Sequence, residues 1–359
     1  MWSRNAKAAR PAWGRFLAFA VACASLSVSG LPAAGIPPPI PGPVLESRRF
    51  AYLARYRPDG KALAWLTVSV QGYLLSRMEW DARGRATLAT AVTGLPQETE
   101  PSALVWHGDA WWILGLDGRL EGWNDRGMKR VFSLTNRVGA SSLAHRGDRL
   151  LIGFVDGSLL EIDGRSSLPL RRLDACGARL TALQAEGDSL FVGSWDRSVR
   201  RLDLDTWEPR GRWDFPGRVE CLEVRGSLLV AGLSAEALLR DEAMHEEDRS
   251  RKLPPPVASN TFALIRLPDG EPVLGPAFRR GISSVRIHPE ENLILAASWD
   301  FTLVASDPQA RIRFRYNPLG AIVRDLAIAP GGDSFAVAGW HPVGTWRPTV
   351  RLYRFRKSP

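Results

Sequence analysis

Leu180-Thr181-Ala182-Leu183-Gln184-Ala185-Glu186-Gly187-Asp188-Ser189-Leu190-Phe191-Val192-Gly193-Ser194-Trp195-Asp196-Arg197-Ser198-Val199-Arg200 is the stretch that decides the fold. Leu180–Ala185 alternates in the manner of a half-buried strand. Gly187-Asp188 is a turn pair, and Leu190–Gly193 is a short apolar run of strand length. The same design recurs along the chain. Gly-plus-small-polar turns stand at Gly108-Asp109, Gly147-Asp148, Gly187-Asp188 and Gly226-Ser227, at intervals of 39, 40 and 39 residues. Each precedes an apolar run ending in Gly: Trp111–Gly115, Leu150–Gly153, Leu190–Gly193 and Leu228–Gly232.

Variant turns extend the pattern to both ends. Ser284–Ile287 leads into His288-Pro289-Glu290-Glu291 and then Leu293–Ala297. Asp325–Ala329 leads into Pro330-Gly331-Gly332-Asp333 and then Phe335–Gly339, and Leu53–Arg57 leads into Pro58-Asp59-Gly60. Pro presets the backbone of a turn, and Gly or Asp tolerates the positions after it. A period near 40 residues with short strands is the signature of propeller blades. Helical repeats would show a 3.6-residue period, which is absent.

The chain resembles the WD40 family. Gly193-Ser194-Trp195-Asp196 and Ala297-Ser298-Trp299-Asp300 match its hairpin between second and third strands. Trp123-Asn124 and Leu202-Asp203 stand where the family has Trp-Asp, and only the first keeps Trp. The Gly-His pair that opens family blades is missing. The resemblance covers about residues 43–356. It implies an all-β chain, one β-propeller of seven four-stranded blades, closed by an N-terminal strand. The blades read as 48–95, 101–134, 138–174, 178–214, 218–278, 281–316 and 320–356, with Pro43–Glu46 offered to complete the last. The irregular first blade leaves counts of six and eight open. In the family, the hairpin Asp is structural, which gives Asp196 and Asp300 that role here.

The 359 residues and formal charge of +9 fit this reading. The 33 Gly, 26 Pro and 14 Trp suit many turns and large packed aromatics. Residues 1–34 read as a signal peptide: Arg4, Lys7, Arg10 and Arg15 precede an uncharged stretch, then small residues. Gly30 and Pro32 cut the stretch short of the roughly 20 residues a spanning helix needs. An uncleaved anchor or a disordered extension is the other reading. Cys23 raises a lipid anchor, although Ala20 stands where a lipobox has Leu. Residues 35–42 read as a Pro-rich linker. Removing 1–34 lowers the charge from +9 to +5, too little to argue for nucleic acid. The chain beyond the linker, 43–359, is expected to be the propeller with an insertion at 234–259.

Binding on a propeller belongs to loops on a rigid ring. The insertion carries Arg240 and Met244, and the last blade carries Trp340, His341 and Trp346 in a long loop. Trp195 and Trp299 are expected on the same face, packed between blades or exposed to a partner. Together these are the candidate partner-binding residues, since interfaces favour Trp and Arg. His107, His145 and His288 fall at turns on the opposite face and read as solvated. His245-Glu246-Glu247-Asp248 has no ligand spacing, so neither a metal nor a cofactor is expected. Cys176 and Cys221, in adjacent blades, are read either as a disulfide or as free thiols. These features suggest a non-catalytic, exported scaffold in a cell envelope, periplasmic or extracellular. It would bind another protein, as a monomer, meeting a membrane only through a lipid anchor. The alternative is a propeller enzyme or small-ligand binder, of hydrolase, lactonase or quinoprotein type, at the mouth of the central channel. Its carboxylate candidates are Glu98, Glu100, Asp174 and Glu220.

Overall fold

Gly187 takes a φ of +59°, in the left-handed region where a Cβ is costly, so Gly187-Asp188 closes a two-residue hairpin turn. Gly108, Gly147 and Gly226 do the same at 62°, 49° and 53°. These four turns join the first and second strands of successive blades. The structure, a computed structural model, describes residues 39–46, 50–69, 72–83, 85–95, 99–124, 129–134, 139–235, 256–290, 292–318, 322–340 and 349–355. The region read as a signal peptide, with Cys23, and the first half of the linker, 35–38, lie outside these residues.

The described strands are numbered in chain order. β1 is Ile40–Glu46. The first blade is β2 (Ala51–Tyr56), β3 (Ala62–Ser69), β4 (Gly72–Trp80) and β5 (Ala86–Val92). The second is β6 (Pro101–His107), β7 (Ala110–Gly115), β8 (Arg119–Asn124) and β9 (Lys129–Ser133). The third is β10 (Ala140–Arg146), β11 (Arg149–Phe154), β12 (Ser158–Asp163) and β13 (Pro169–Asp174). The fourth is β14 (Leu180–Glu186), β15 (Ser189–Ser194), β16 (Ser198–Asp203) and β17 (Pro209–Asp214). The fifth is β18 (Arg218–Arg225), β19 (Leu228–Ser234), β20 (Phe262–Arg266) and β21 (Val273–Leu274). The sixth is β22 (Ile282–Ile287), β23 (Ile294–Ser298), β24 (Leu303–Ser306) and β25 (Ile312–Tyr316). The seventh contains β26 (Ile322–Ile328), β27 (Ser334–Trp340) and β28 (Val350–Arg354).

Seven four-stranded antiparallel sheets result, so the count is seven, and the chain forms a seven-bladed β-propeller. The seventh sheet runs β1-β28-β27-β26, so the first strand of the chain completes the last blade. β1 begins at Ile40, three residues before the expected Pro43, inside the span read as linker. Closure of this kind ties both ends of the ring and removes an open edge on β28.

One irregularity repeats in all seven blades. Each inner strand carries one extra residue against its second strand at the same place: Leu180 pairs Ser194, then Ala182 pairs Gly193. The bulged residue is Ser or Thr in four blades: Ser102, Ser141, Thr181 and Ser283. Three of these hydroxyls donate to a carbonyl of the next blade: Ser141 to Leu180 at 2.5 Å, Thr181 to Val219 at 2.7 Å and Ser283 to Val323 at 2.7 Å. These three bulges are therefore polar rivets between blades. Across from the bulge, the second strands of the fourth and fifth blades carry Gly because the next blade fills the space. A Cβ on Gly193 would meet Val219 at 2.8 Å, and one on Gly232 would meet Ile282 at 2.7 Å. The apolar runs fill the layers between sheets, as where Leu183, Leu190, Val192 and Leu202 of the fourth blade pack with Leu151 and Leu159 of the third.

Candidate functional site

Second strands end at one mouth of the central channel. At the mouth position, the backbone of Trp195 pairs with Arg179, that of Trp299 with Gly281 and that of Trp340 with Ile322. Val, Leu, Val and Ser hold this position in the other four blades. Three of seven equivalent sites thus carry Trp, and all three lie on one face. The side chain of Trp340 lies outside what is described.

The two described indoles differ. Trp299 is 4% exposed and packs with Ile322 of the next blade and with Phe301. Trp195 is only half-buried. Two guanidinium groups lie over its ring, Arg179 at 5.1 Å and Arg218 at 5.3 Å from the ring centre. Arg218 belongs to the fifth blade, so this stack bridges two blades. Such a cation–aromatic contact contributes roughly 0.5–1 kcal/mol at a partly wet site. The Trp195 Nε1–H is buried and has no acceptor among the described residues. Arg324 lies 5.1 Å from the Trp299 ring and meets Glu100 at 3.5 Å. Arg324 and Glu220 occupy bulge positions that hold Ser or Thr in four other blades.

The long interruptions of the blade pattern leave from this same mouth. The chain departs at Ala235 after β19 and returns at Pro256, and Asn260 Oδ1 accepts the Ala235 N–H at 2.6 Å. It departs again after Trp340 and returns at Thr349. Arg240, Met244, His341 and Trp346 lie outside the described residues.

Below the mouth, the inner strands enclose a cavity of about 850 Å³. Its wall holds a charge network across four blades. Asp325 pairs with Arg55 and with Arg286, the latter at 2.8 Å, and Arg286 approaches Glu223 at 3.7 Å. Burial works to raise the Asp325 pKa, but Arg55 and then Arg286 outweigh it and hold the carboxyl below its ordinary value. For Glu223 burial wins over Arg286, and its pKa is raised. The two carboxyls differ because Asp325 touches two guanidiniums closely and Glu223 only one, at longer range.

The remaining expected residues spread over the ring. Asp196 Oδ1 accepts the Ser198 N–H at 3.1 Å, and its other oxygen pairs with Arg200 at 2.9 Å. Asp300 accepts the N–H of Thr302 at 3.1 Å and of Arg279 at 3.0 Å. Both carboxylates fasten the hairpin that brings Trp to the mouth. Cys176 and Cys221 are free thiols. Cys176 sits in the core between the third and fourth blades, Cys221 against the packing of the fifth and sixth. Burial pushes their pKa values up to about 11 and about 12, far from nucleophilic at neutral pH.

Asp174 ends the outer strand β13 and is exposed, so it does not reach the channel, and Glu98 lies outside the described residues. His288 corrects the solvated reading of the histidines. It is buried, with Nε2 2.8 Å from the Gly332 carbonyl of the neighbouring blade. His145 is exposed, as expected, and its ring lies tilted against that of half-buried His107, centres 4.9 Å apart, where two blades meet. The sequence missed these contacts because each spans a blade boundary of about 40 residues.

No protein-family model matches the chain, and no curated protein matches it in sequence. Its fold is shared with 1678 chains of solved structures, which makes the fold too widespread to name a function. One is a chain in the crystal structure of the mitotic checkpoint complex, at 14% identity and a TM-score of 0.67. The likeness covers 96% of this chain and 99% of that one. What this chain shares with it is the fold.

Proposed function

We propose that the ring is a non-catalytic scaffold that seats a partner protein on its Trp-bearing mouth. The observation that carries this reading is the half-buried Trp195 ring at the mouth with the guanidinium groups of Arg179 and Arg218 against it. Trp and Arg dominate the energetics of protein interfaces. Both long inserts leave from this face and would form its rim. That a chain of similar fold sits in a checkpoint complex supports a protein partner. The basic, then apolar, N-terminal sequence supports export to the periplasm or beyond, with Cys23 as a lipid attachment point.

The test has two parts. Fractionation and N-terminal sequencing of the mature chain read its compartment; recovery from the cytoplasm with residues 1–34 intact overturns export. Pull-down from envelope extract reads the partner. The pair Trp195→Ala and Arg218→Glu should reduce its recovery at least tenfold, and unchanged recovery overturns the mouth as the binding surface. The cavity of about 850 Å³ favours a second reading, a small polar ligand in the channel, because its volume falls in the range of ligand pockets. A stoichiometric metal or small molecule in the purified protein would favour that reading.

A further inference from the structure

Outer strands of a propeller are exposed sheet edges, and natural edges are blunted by charge, proline, bulges or shortness. Six of the seven outer strands here follow that rule. β9 carries Lys129 and Arg130, β13 carries Pro169, Arg171 and Arg172, and β17 carries Pro209, Arg210 and Arg212. β21 is two residues long, β25 carries Arg313 and Arg315, and β1 carries Pro41 and Pro43. Register shifts further distort the edges at β13, β17, β25 and β1.

β5 follows none of it. Ala86-Thr87-Leu88-Ala89-Thr90-Ala91-Val92 has no charge and no proline. It pairs with β4 over seven unshifted positions, from Leu74 with Val92 to Trp80 with Ala86. Six of its seven residues are exposed, Leu88 at 59% and Val92 at 47%. Among the described residues nothing pairs with its outer side, so this is a long, regular, apolar edge.

We propose that β5 is a homodimer edge, pairing antiparallel with β5 of a second copy about a two-fold axis at Ala89. Charge argues for a second copy over another occupant. A two-fold operation sets each residue against the one equally far beyond the axis in the second copy, and like charges directly opposite destabilise a sheet. On β13 it would set Arg171 against Arg172, and on β25 Arg313 against Arg315. On β5 it sets Leu88 against Thr90, Thr87 against Ala91 and Ala86 against Val92. The nearest charge, Arg85, would face Thr93 of the second copy and is already paired with Asp81 at 2.7 Å. The two first blades would become one continuous eight-stranded sheet. This replaces the single-copy expectation from the sequence and is independent of the mouth.

The test is molar mass by sedimentation equilibrium over about 10 to 200 µM, the range suited to a small interface. The intact protein should approach twice the mass of its chain. Ala89→Lys, which places two ammonium groups at the axis, should shift the dimer constant at least tenfold toward monomer. Leu170→Lys, on the exposed edge of the third blade, should not. Ala89→Cys should give a disulfide-linked dimer under oxidation, as directly opposed residues lie close enough. A monomer across the whole range overturns the proposal, even if β5 then binds a strand of another protein. So does a dimer that Ala89→Lys leaves intact. Trp195→Ala with Arg218→Glu should leave the mass unchanged.

Discussion

Asp325→Ala removes a carboxylate that holds three blades at once. Its oxygens accept the Ala54 N–H at 3.0 Å and pair with Arg55, both of the first blade. They also accept the Ser284 hydroxyl at 3.0 Å and an Arg286 N–H at 2.8 Å, both of the sixth. Asp325 itself is in the seventh, so the group latches the seam where the ring closes. Its side chain is 5% exposed, Arg286 13% and Arg55 32%. Arg55 can turn to water once its partner is gone, whereas Arg286 cannot. Breaking a buried pair costs roughly 3–5 kcal/mol, and the escape of Arg55 points to the lower half, about 3–4 kcal/mol. That is a large share of a stability of about 5–15 kcal/mol. Urea unfolding followed by Trp fluorescence measures it. Adding Arg286→Met removes the stranded cation and should recover about 1–2 kcal/mol. The latch also has a pH signature. The folded pKa of Asp325 is depressed, so its contribution is present above the ordinary carboxylate value of about 4 and is lost as pH falls through the folded value. The variant should show a flatter acid limb. A loss under about 1 kcal/mol, or additive effects of the two substitutions, would refute the latch.

Arg197 is exposed at a φ of +69°, where other blades have Gly118 and Gly157, so Arg197→Gly should stabilise by up to about 1 kcal/mol; a lower urea midpoint would count against the strain argument. Deleting residues 1–46 removes β1 and bares the edge of β28; unfolding should accelerate at least tenfold in stopped-flow traces, and an unchanged rate would show that closure by β1 contributes little. Ser141→Ala and Thr181→Ala each remove one inter-blade rivet and should cost about 1 kcal/mol in the same urea assay, more than the surface change Thr87→Ala. Cys176 should resist a thiol reagent at pH 8 until urea is added; reaction in the native state would contradict its burial in the core.

The blade plan was legible because its signals are local. Turn glycines, alternating first strands and apolar second strands each lie within a dozen residues, and their spacing repeats. The position of Trp195 and Trp299 on one face was legible for the same reason, since equivalent hairpins end at equivalent places. What distinguishes the two was hidden. Trp299 is covered by Ile322 of the next blade, while Trp195 meets Arg218 in a blade whose strand supplies a cation instead. The burial of His288 against Gly332 was missed because that contact also crosses a blade boundary.

The sequence by itself determined a ring of repeated hairpins, the turn chemistry within each blade and the completing strand at the N-terminus. Hydrophobic period and turn residues act over short range, so one blade can be read without its neighbours. The tertiary structure settled the count at the expected seven and alone decided the bulged hydroxyl that rivets each of three blades to the next, and the charge latch around Asp325. It also decided which outer edge stands undefended. Each of these depends on side chains brought together only when the ring closes: Arg55 and Asp325 are 270 residues apart, a separation that no local pattern can encode.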